Sequence, residues 1–219
     1  MMAVIVNTLN DVLKLYFVMG SNNCESDPVV VLEEALKGGI TCFQYREKGA
    51  QAKIGREKIE LARRLQQLCR EHEVPFIVND EIELMKELDA DGLHIGQEDG
   101  DVEKIRRQIP GKILGVSAHN VKEAEDAIRQ GADYLGVGPV YPTITKKDTR
   151  PVMGTTIIRQ LREKGITVPT VGIGGIQIGK ARPVIEAGAN GIAVISSISM
   201  ADSPIEAARR LLDEVSFVG

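Results

Sequence analysis

Short apolar runs rich in β-branched residues alternate with longer amphipathic stretches along the whole chain. The short runs have the length and composition of strands. The longer ones carry apolar positions at the i, i+3 and i+4 spacing of helices packed on a sheet. Strands are predicted at Leu15–Val18, Ile40–Tyr45, Pro75–Val78, Gly92–Ile95, Lys112–Val116, Tyr134–Val137, Thr170–Ile173 and Gly191–Ile195. Helical periodicity is clearest at Ile54–Glu71, Val121–Gln130, Ile178–Ala187 and Pro204–Val215. Eight strand–helix units in 219 residues leave about 27 residues each, which a βα unit meets with short loops.

A repeated punctuation supports this rhythm. Asp89-Ala90-Asp91, Gly131-Ala132-Asp133 and Gly188-Ala189-Asn190 each follow a helical stretch and lead into a strand. A glycine at such a point ends a helix in a left-handed conformation, and a short polar residue closes the turn. Repeated βα units predict a parallel sheet, and eight of them predict a closed (β/α)8 TIM barrel, with a doubly wound open sheet as the other arrangement. No linker or charge block marks a second domain, so residues 1–219 are expected to form one barrel domain, with 1–12 an N-terminal extension or short helix. The connection from Gly138 to Pro151 has no helical period. Loops of that length in compact domains are functional or disordered, and in a βα barrel this one lies on the C-terminal face, where active sites sit.

Composition narrows the class of ligand. Apolar residues make up 43% and charged residues 26%, as in ordinary globular proteins. A net charge of −4 argues against nucleic acid as the main partner, so a basic cluster here serves a small anion. Cys24, Cys42 and Cys69 form no CxxC pair and point to a reducing, cytoplasmic setting rather than to disulfides or zinc. The start of the chain lacks a basic n-region, and no apolar run is long enough to span a bilayer.

Polar residues collect where the predicted strands end. In Gln44-Tyr45-Arg46-Glu47-Lys48 the period of two puts Gln44, Arg46 and Lys48 on one face and Tyr45 and Glu47 on the other. Two cations and an amide converging from a strand end make an anion receptor; a solvated junction is the plain alternative. Asp80 and Asp99 end adjacent strands, and two hard oxygen ligands suit Mg²⁺ beside a phosphorylated substrate. As alternatives, Asp80 caps a helix and Asp99 sits in a solvated turn. Gly172-Ile173-Gly174-Gly175, together with Ile195 and Ser196, occupies the two loops that form a recurrent barrel phosphate site. Thr143 and Thr145 lie in the long connection and are grouped with it, whereas the loop lysine Lys146 joins the cationic group. His94 falls inside a strand and reads as packed, and His119 stands near the rim without a visible acid partner. The rim thus offers two anion sites of different strength, one for a diphosphate and one for a monophosphate, which implies two phosphorylated small-molecule substrates.

In order along the chain, Gln44-Tyr45-Arg46-Glu47-Lys48-Gly49, Val78-Asn79-Asp80, His94-Ile95-Gly96-Gln97-Glu98-Asp99, Leu114-Gly115-Val116-Ser117, Gly136 to Thr143, Thr145 to Asp148 and Gly172 to Ile176 resemble the thiamine-phosphate synthase family. The resemblance implies a (β/α)8 barrel that joins 4-amino-2-methyl-5-(diphosphooxymethyl)pyrimidine to 4-methyl-5-(2-phosphoethyl)thiazole, or to its carboxylated form, and releases pyrophosphate. It implies Gln44, Arg46, Lys48, Asn79, Ser117 and Lys146 as contacts of the pyrimidine diphosphate, with Tyr45 and Glu47 of the same motif in that set. Arg46, Lys48, Ser117 and Lys146 would act in catalysis, and Asp80 and Asp99 would carry Mg²⁺. Thr143, Ile144, Thr145, Gly175, Ile195 and Ser196 would hold the thiazole phosphate. A thiazole tautomerase on the same barrel and a non-catalytic phosphate sensor are the competing functions. Neither a membrane nor a nucleic acid enters, and a homo-oligomer stays open.

Overall fold

The computed structural model describes residues 9–143 and 151–216. Eight parallel strands close into a barrel in sequence order: β1 Leu15–Met19, β2 Cys42–Tyr45, β3 Phe76–Asn79, β4 Gly92–Ile95, β5 Ile113–Ala118, β6 Tyr134–Val137, β7 Thr170–Ile173 and β8 Gly191–Val194. Pairing of β1 with β8 completes the ring. Outside lie α1 Pro28–Lys37, α2 Gly55–Glu71, α3 Ile82–Glu87, α4 Val102–Gln108, α5 Val121–Arg129, α6 Thr156–Glu163, α7 Arg182–Glu186, α8 Ser196–Ser199 and α9 Pro204–Ser216. The barrel expected from the βα rhythm is the one observed.

Alternation along each strand divides the core in two. Leu15, Phe17, Phe43, Tyr45, Phe76, Leu93, Leu114, Leu135 and Ile192 face outward into the layer between barrel and helices. Tyr16, Val18, Cys42, Ile77, Tyr134, Val171 and Ala193 fill the interior. Helix starts follow local chemistry. Asp27, Asp101 and Asn120 accept backbone N–H bonds at the first turns of α1, α4 and α5. α7 is shorter than its periodicity predicts, because Gly179 at φ +87° turns the chain and helix begins only beside Pro183.

The repeated punctuation has a partner that the sequence did not reveal. In each turn the third residue reaches across to the strand before it. Asp91 accepts the Phe76 N–H at 2.8 Å, Asp133 the Leu114 N–H at 2.8 Å and Asn190 the Thr170 N–H at 2.9 Å. Gly39-Ile40-Thr41 is a fourth copy, with Thr41 Oγ1 accepting the Leu15 N–H at 2.8 Å. These bonds sit at the N-terminal rim, opposite the loops that carry polar chemistry, so they hold the barrel shut without entering the site. Asn190→Ala leaves the buried Thr170 N–H without its acceptor and removes a partner of Arg162. We expect a loss of about 1–3 kcal/mol, read as a lower urea midpoint at unchanged slope. An unmoved midpoint would discard this role.

Candidate active site

The C-terminal ends of the strands surround a cavity of about 610 Å³. On one side β2 runs out into Arg46 and Lys48, β3 into Asn79 and Asp80, and the loop after β4 carries Asp99. Asp80 is held at φ +60°, a left-handed conformation that aspartate tolerates, and its N–H donates to the His94 carbonyl at 2.8 Å. That bend turns the carboxylate back over the barrel mouth. Asp99 is fixed by the Gly96 N–H, which donates to Oδ2 at 2.8 Å.

Lys48 joins the two acids. Its Nζ is 2.6 Å from Asp80 Oδ2 and 3.6 Å from Asp99 Oδ1. Burial pushes the Asp80 carboxyl up, against the Lys48 hydrogen bond, and the neighbouring Asp99 adds to the rise. Burial works on Asp99 too, but the Gly96 N–H, Asp80 and Lys48 together hold it below the ordinary range. The hydrogen bond to Asp80 raises Lys48. Two carboxylates thus face one position that already attracts an ammonium. Hard oxygen donors converging there fit a small divalent cation.

The ends of β7 and β8 form a glycine-rich part of the lining. Gly174 and Gly175 have φ of +100° and +64° after β7, and a Cβ on Gly175 would lie 2.4 Å from the Pro142 carbonyl oxygen. Only glycine lets the two loops meet there. The long connection starts by pairing with β7: the Val140 N–H donates to Ile173 and the Tyr141 N–H to Gly174, both at 2.9 Å. Thr143, Gly175, Ile195 and Ser196 line this side of the cavity.

Ten of the residues singled out from sequence therefore share one cavity: Arg46, Lys48, Asn79, Asp80, Asp99, Ser117, Thr143, Gly175, Ile195 and Ser196. Three others do not line it. Tyr45 points outward, where its hydroxyl donates to the Lys58 carbonyl at 3.0 Å and its ring stacks on Phe76. Glu47, on the same face by alternation, is buried and accepts from the Ser21 N–H, the Ser21 hydroxyl and the Lys53 N–H. Direct contact of Tyr45 and Glu47 with a diphosphate is thus corrected to support of the strand end. Gln44 does face inward, but its amide lies deeper, bonded to Tyr16. Ile144, Thr145 and Lys146 fall outside the described residues.

Two features escaped sequence reasoning. His119 has an acid partner one helical turn on, since Glu123 Oε2 is 2.9 Å from Nδ1 and also accepts the His119 N–H. His94 is packed as expected, yet both ring nitrogens are hydrogen-bonded, to Tyr134 and to Ser117. The available signal was the pair of inward strand positions occupied by glycine, Gly115 and Gly136, beside those polar side chains.

Comparison with known proteins identifies the family. The family described as thiamine monophosphate synthase matches residues 15–198. A thiamine-phosphate synthase of Bacillus cereus (strain B4264) is 55% identical over 210 residues, 96% of either chain. One from Bacillus thuringiensis (strain Al Hakam) is 56% identical over 208 residues, 95% of each. The solved thiamine phosphate pyrophosphorylase of Pyrococcus furiosus superposes with a TM-score of 0.86 at 38% identity, covering 95% of this chain and 98% of its own. The chain belongs to the thiamine monophosphate synthase family.

Proposed function

We propose that this chain, a thiamine-phosphate synthase, joins the pyrimidine diphosphate to the thiazole phosphate by dissociative substitution in the cavity above the barrel. The observation that carries this reading is the pairing, in one cavity, of Arg46, Lys48, Asp80 and Asp99 with the glycine- and hydroxyl-rich loop ends Gly174, Gly175, Ser196 and Ser197, whose backbone suits an anion. The first suits a diphosphate and its metal, and the second a monophosphate. Asp80 and Asp99 would hold Mg²⁺, whose chemistry is to neutralise charge on the diphosphate.

Arg46 and Lys48 bind the diphosphate oxygens and stabilise them as the C–O bond to the pyrimidine methylene breaks, with the electron pair leaving on oxygen. The electron-rich aminopyrimidine stabilises the resulting carbocation. Gly175, Ile195 and Ser196 fix the thiazole phosphate, and with it the ring nitrogen whose lone pair forms the new C–N bond. No proton leaves a nucleophile, so no side-chain base is required. His119, tied to Glu123, is not needed as one. Lys146 is assigned to the leaving group from its sequence context alone. The unpaired cysteines suit the cytoplasm.

Pyrophosphate release tests the assignment. Release is expected only with both substrates and a divalent cation. Conversion of the thiazole phosphate alone would make the chain a tautomerase, and binding without turnover would make it a sensor.

A further inference from the structure

Beneath the cavity, polar side chains form an unbroken line through the barrel interior. Gln44 Nε2 donates to the Tyr16 hydroxyl at 2.8 Å, and the Tyr16 and Tyr134 hydroxyls are 2.8 Å apart. The Tyr134 hydroxyl lies 2.9 Å from His94 Nδ1, and His94 Nε2 lies 3.0 Å from Ser117 Oγ. Strand register places His94, Gly115 and Tyr134 side by side on β4, β5 and β6. The glycines make the room. A Cβ on Gly115 would stand 2.1 Å from the Tyr134 ring, and one on Gly136 would stand 3.1 Å from His94 Cε1. An apolar interior of equal volume would avoid the desolvation cost of five polar groups, so their retention calls for a reason.

Counting protons gives the line a direction. Burial above all holds both phenols well above the usual tyrosine range, so each keeps its proton. The Gln44 amide donates, and Tyr16 therefore accepts. If Tyr16 then donates to Tyr134, Tyr134 donates to His94 Nδ1, and the imidazole proton sits on Nε2 facing Ser117. The protons donated from Gln44, Tyr16, Tyr134 and His94 along the line then each meet an oxygen or nitrogen acceptor, and the Ser117 proton is left to face the cavity. In the reverse direction Tyr16 accepts twice, and its own proton is left with the sulfur of neighbouring Cys42, a weak acceptor.

We infer that Gln44, Tyr16, Tyr134 and His94 are positioning residues that make Ser117 accept from His94 and thereby point its own hydroxyl proton into the cavity, toward an acceptor atom of the pyrimidine diphosphate. The identity of that ligand rests on the function proposed above; the direction of the line does not.

The test separates the two. The full-length protein, labelled with ¹⁵N-histidine and free of ligand, contains His72, His94 and His119, and His94→Gln assigns the His94 signals by their loss. The Nε2-protonated tautomer is expected for His94, and the Nδ1-protonated tautomer would overturn the inference. Tyr134→Phe keeps the ring and removes the donor to Nδ1. It is expected to raise the Nδ1-protonated fraction of His94 and to lower kcat about tenfold with little change in KM for the thiazole phosphate. An unaltered tautomer in that variant would reject Tyr134 as its cause. In His94→Gln an amide N–H still reaches Ser117, so this variant is expected to retain at least about tenfold more kcat than His94→Leu. Equal activity of those two, both folded, would count against the inference. Absence of turnover in the wild type would discard the synthase reading while the tautomer measurement still stands.

Discussion

Asp80→Asn is expected to lower pyrophosphate release by a factor on the order of 10²–10³, the usual cost of losing one group that stabilises developing charge. Asparagine is the informative replacement because it tolerates the left-handed backbone that Asp80 adopts at φ +60°. Alanine there would add backbone strain and confuse two effects. The substitution removes one charge from a pair that faces a single position, and it also releases Lys48, whose ammonium is 2.6 Å from the carboxylate. Cation affinity of the ligand-free protein should therefore fall with turnover, while thermal stability changes little. Isothermal titration with Mg²⁺ alongside the release assay decides the matter. Turnover within about threefold of wild type, at unchanged cation affinity, would take Asp80 out of the metal site.

How much of this was legible beforehand depended on whether the information was local. Alternation in residues 42–48 is a property of one strand, so the inward set and the outward set could be separated before any fold was known. Pairing Asp80 with Asp99 needed only that successive strands be neighbours, which βα connections ensure. The polar line from Gln44 to Ser117 needed more. Tyr16 on β1 meets Tyr134 on β6 across the barrel, a contact 118 residues apart that depends on closure and register together. The Gly131-Ala132-Asp133 type of turn was readable as punctuation, but its bond to the preceding strand appears only when two strand starts lie side by side. The fourth copy, Gly39-Ile40-Thr41, hid because a threonine hydroxyl replaces the carboxylate or amide oxygen of the other three.

Glu47 shows the same division within one motif, and its replacement gives the second large effect. Motif membership suggested contact with the diphosphate, whereas strand alternation put the side chain on the opposite face from Arg46 and Lys48. The structure follows the alternation. The buried carboxylate takes the Ser21 N–H at 2.8 Å, the Ser21 hydroxyl at 2.5 Å and the Lys53 N–H at 2.6 Å. It thereby clamps the turn after β1 and the loop after Lys48 onto the end of β2. Asn22 completes the clamp by donating to the Lys48 and Ala50 carbonyls. Glu47→Ala leaves these donors without their acceptor, and hydrogen bonds to charged groups contribute about 1.5–3 kcal/mol each, so a total loss near 3 kcal/mol is expected after partial rehydration. Pyrophosphate affinity should fall about tenfold as well, because Arg46 and Lys48 lose the frame that aims them. Glu47→Gln, which keeps an acceptor oxygen, should fall between the two. Urea unfolding and pyrophosphate titration on the same variants separate support from contact. Lost affinity at wild-type stability would mean that Glu47 touches the ligand after all. Lost stability and lost affinity together, graded from Gln to Ala, identify a residue that acts on the diphosphate through the strand end it braces.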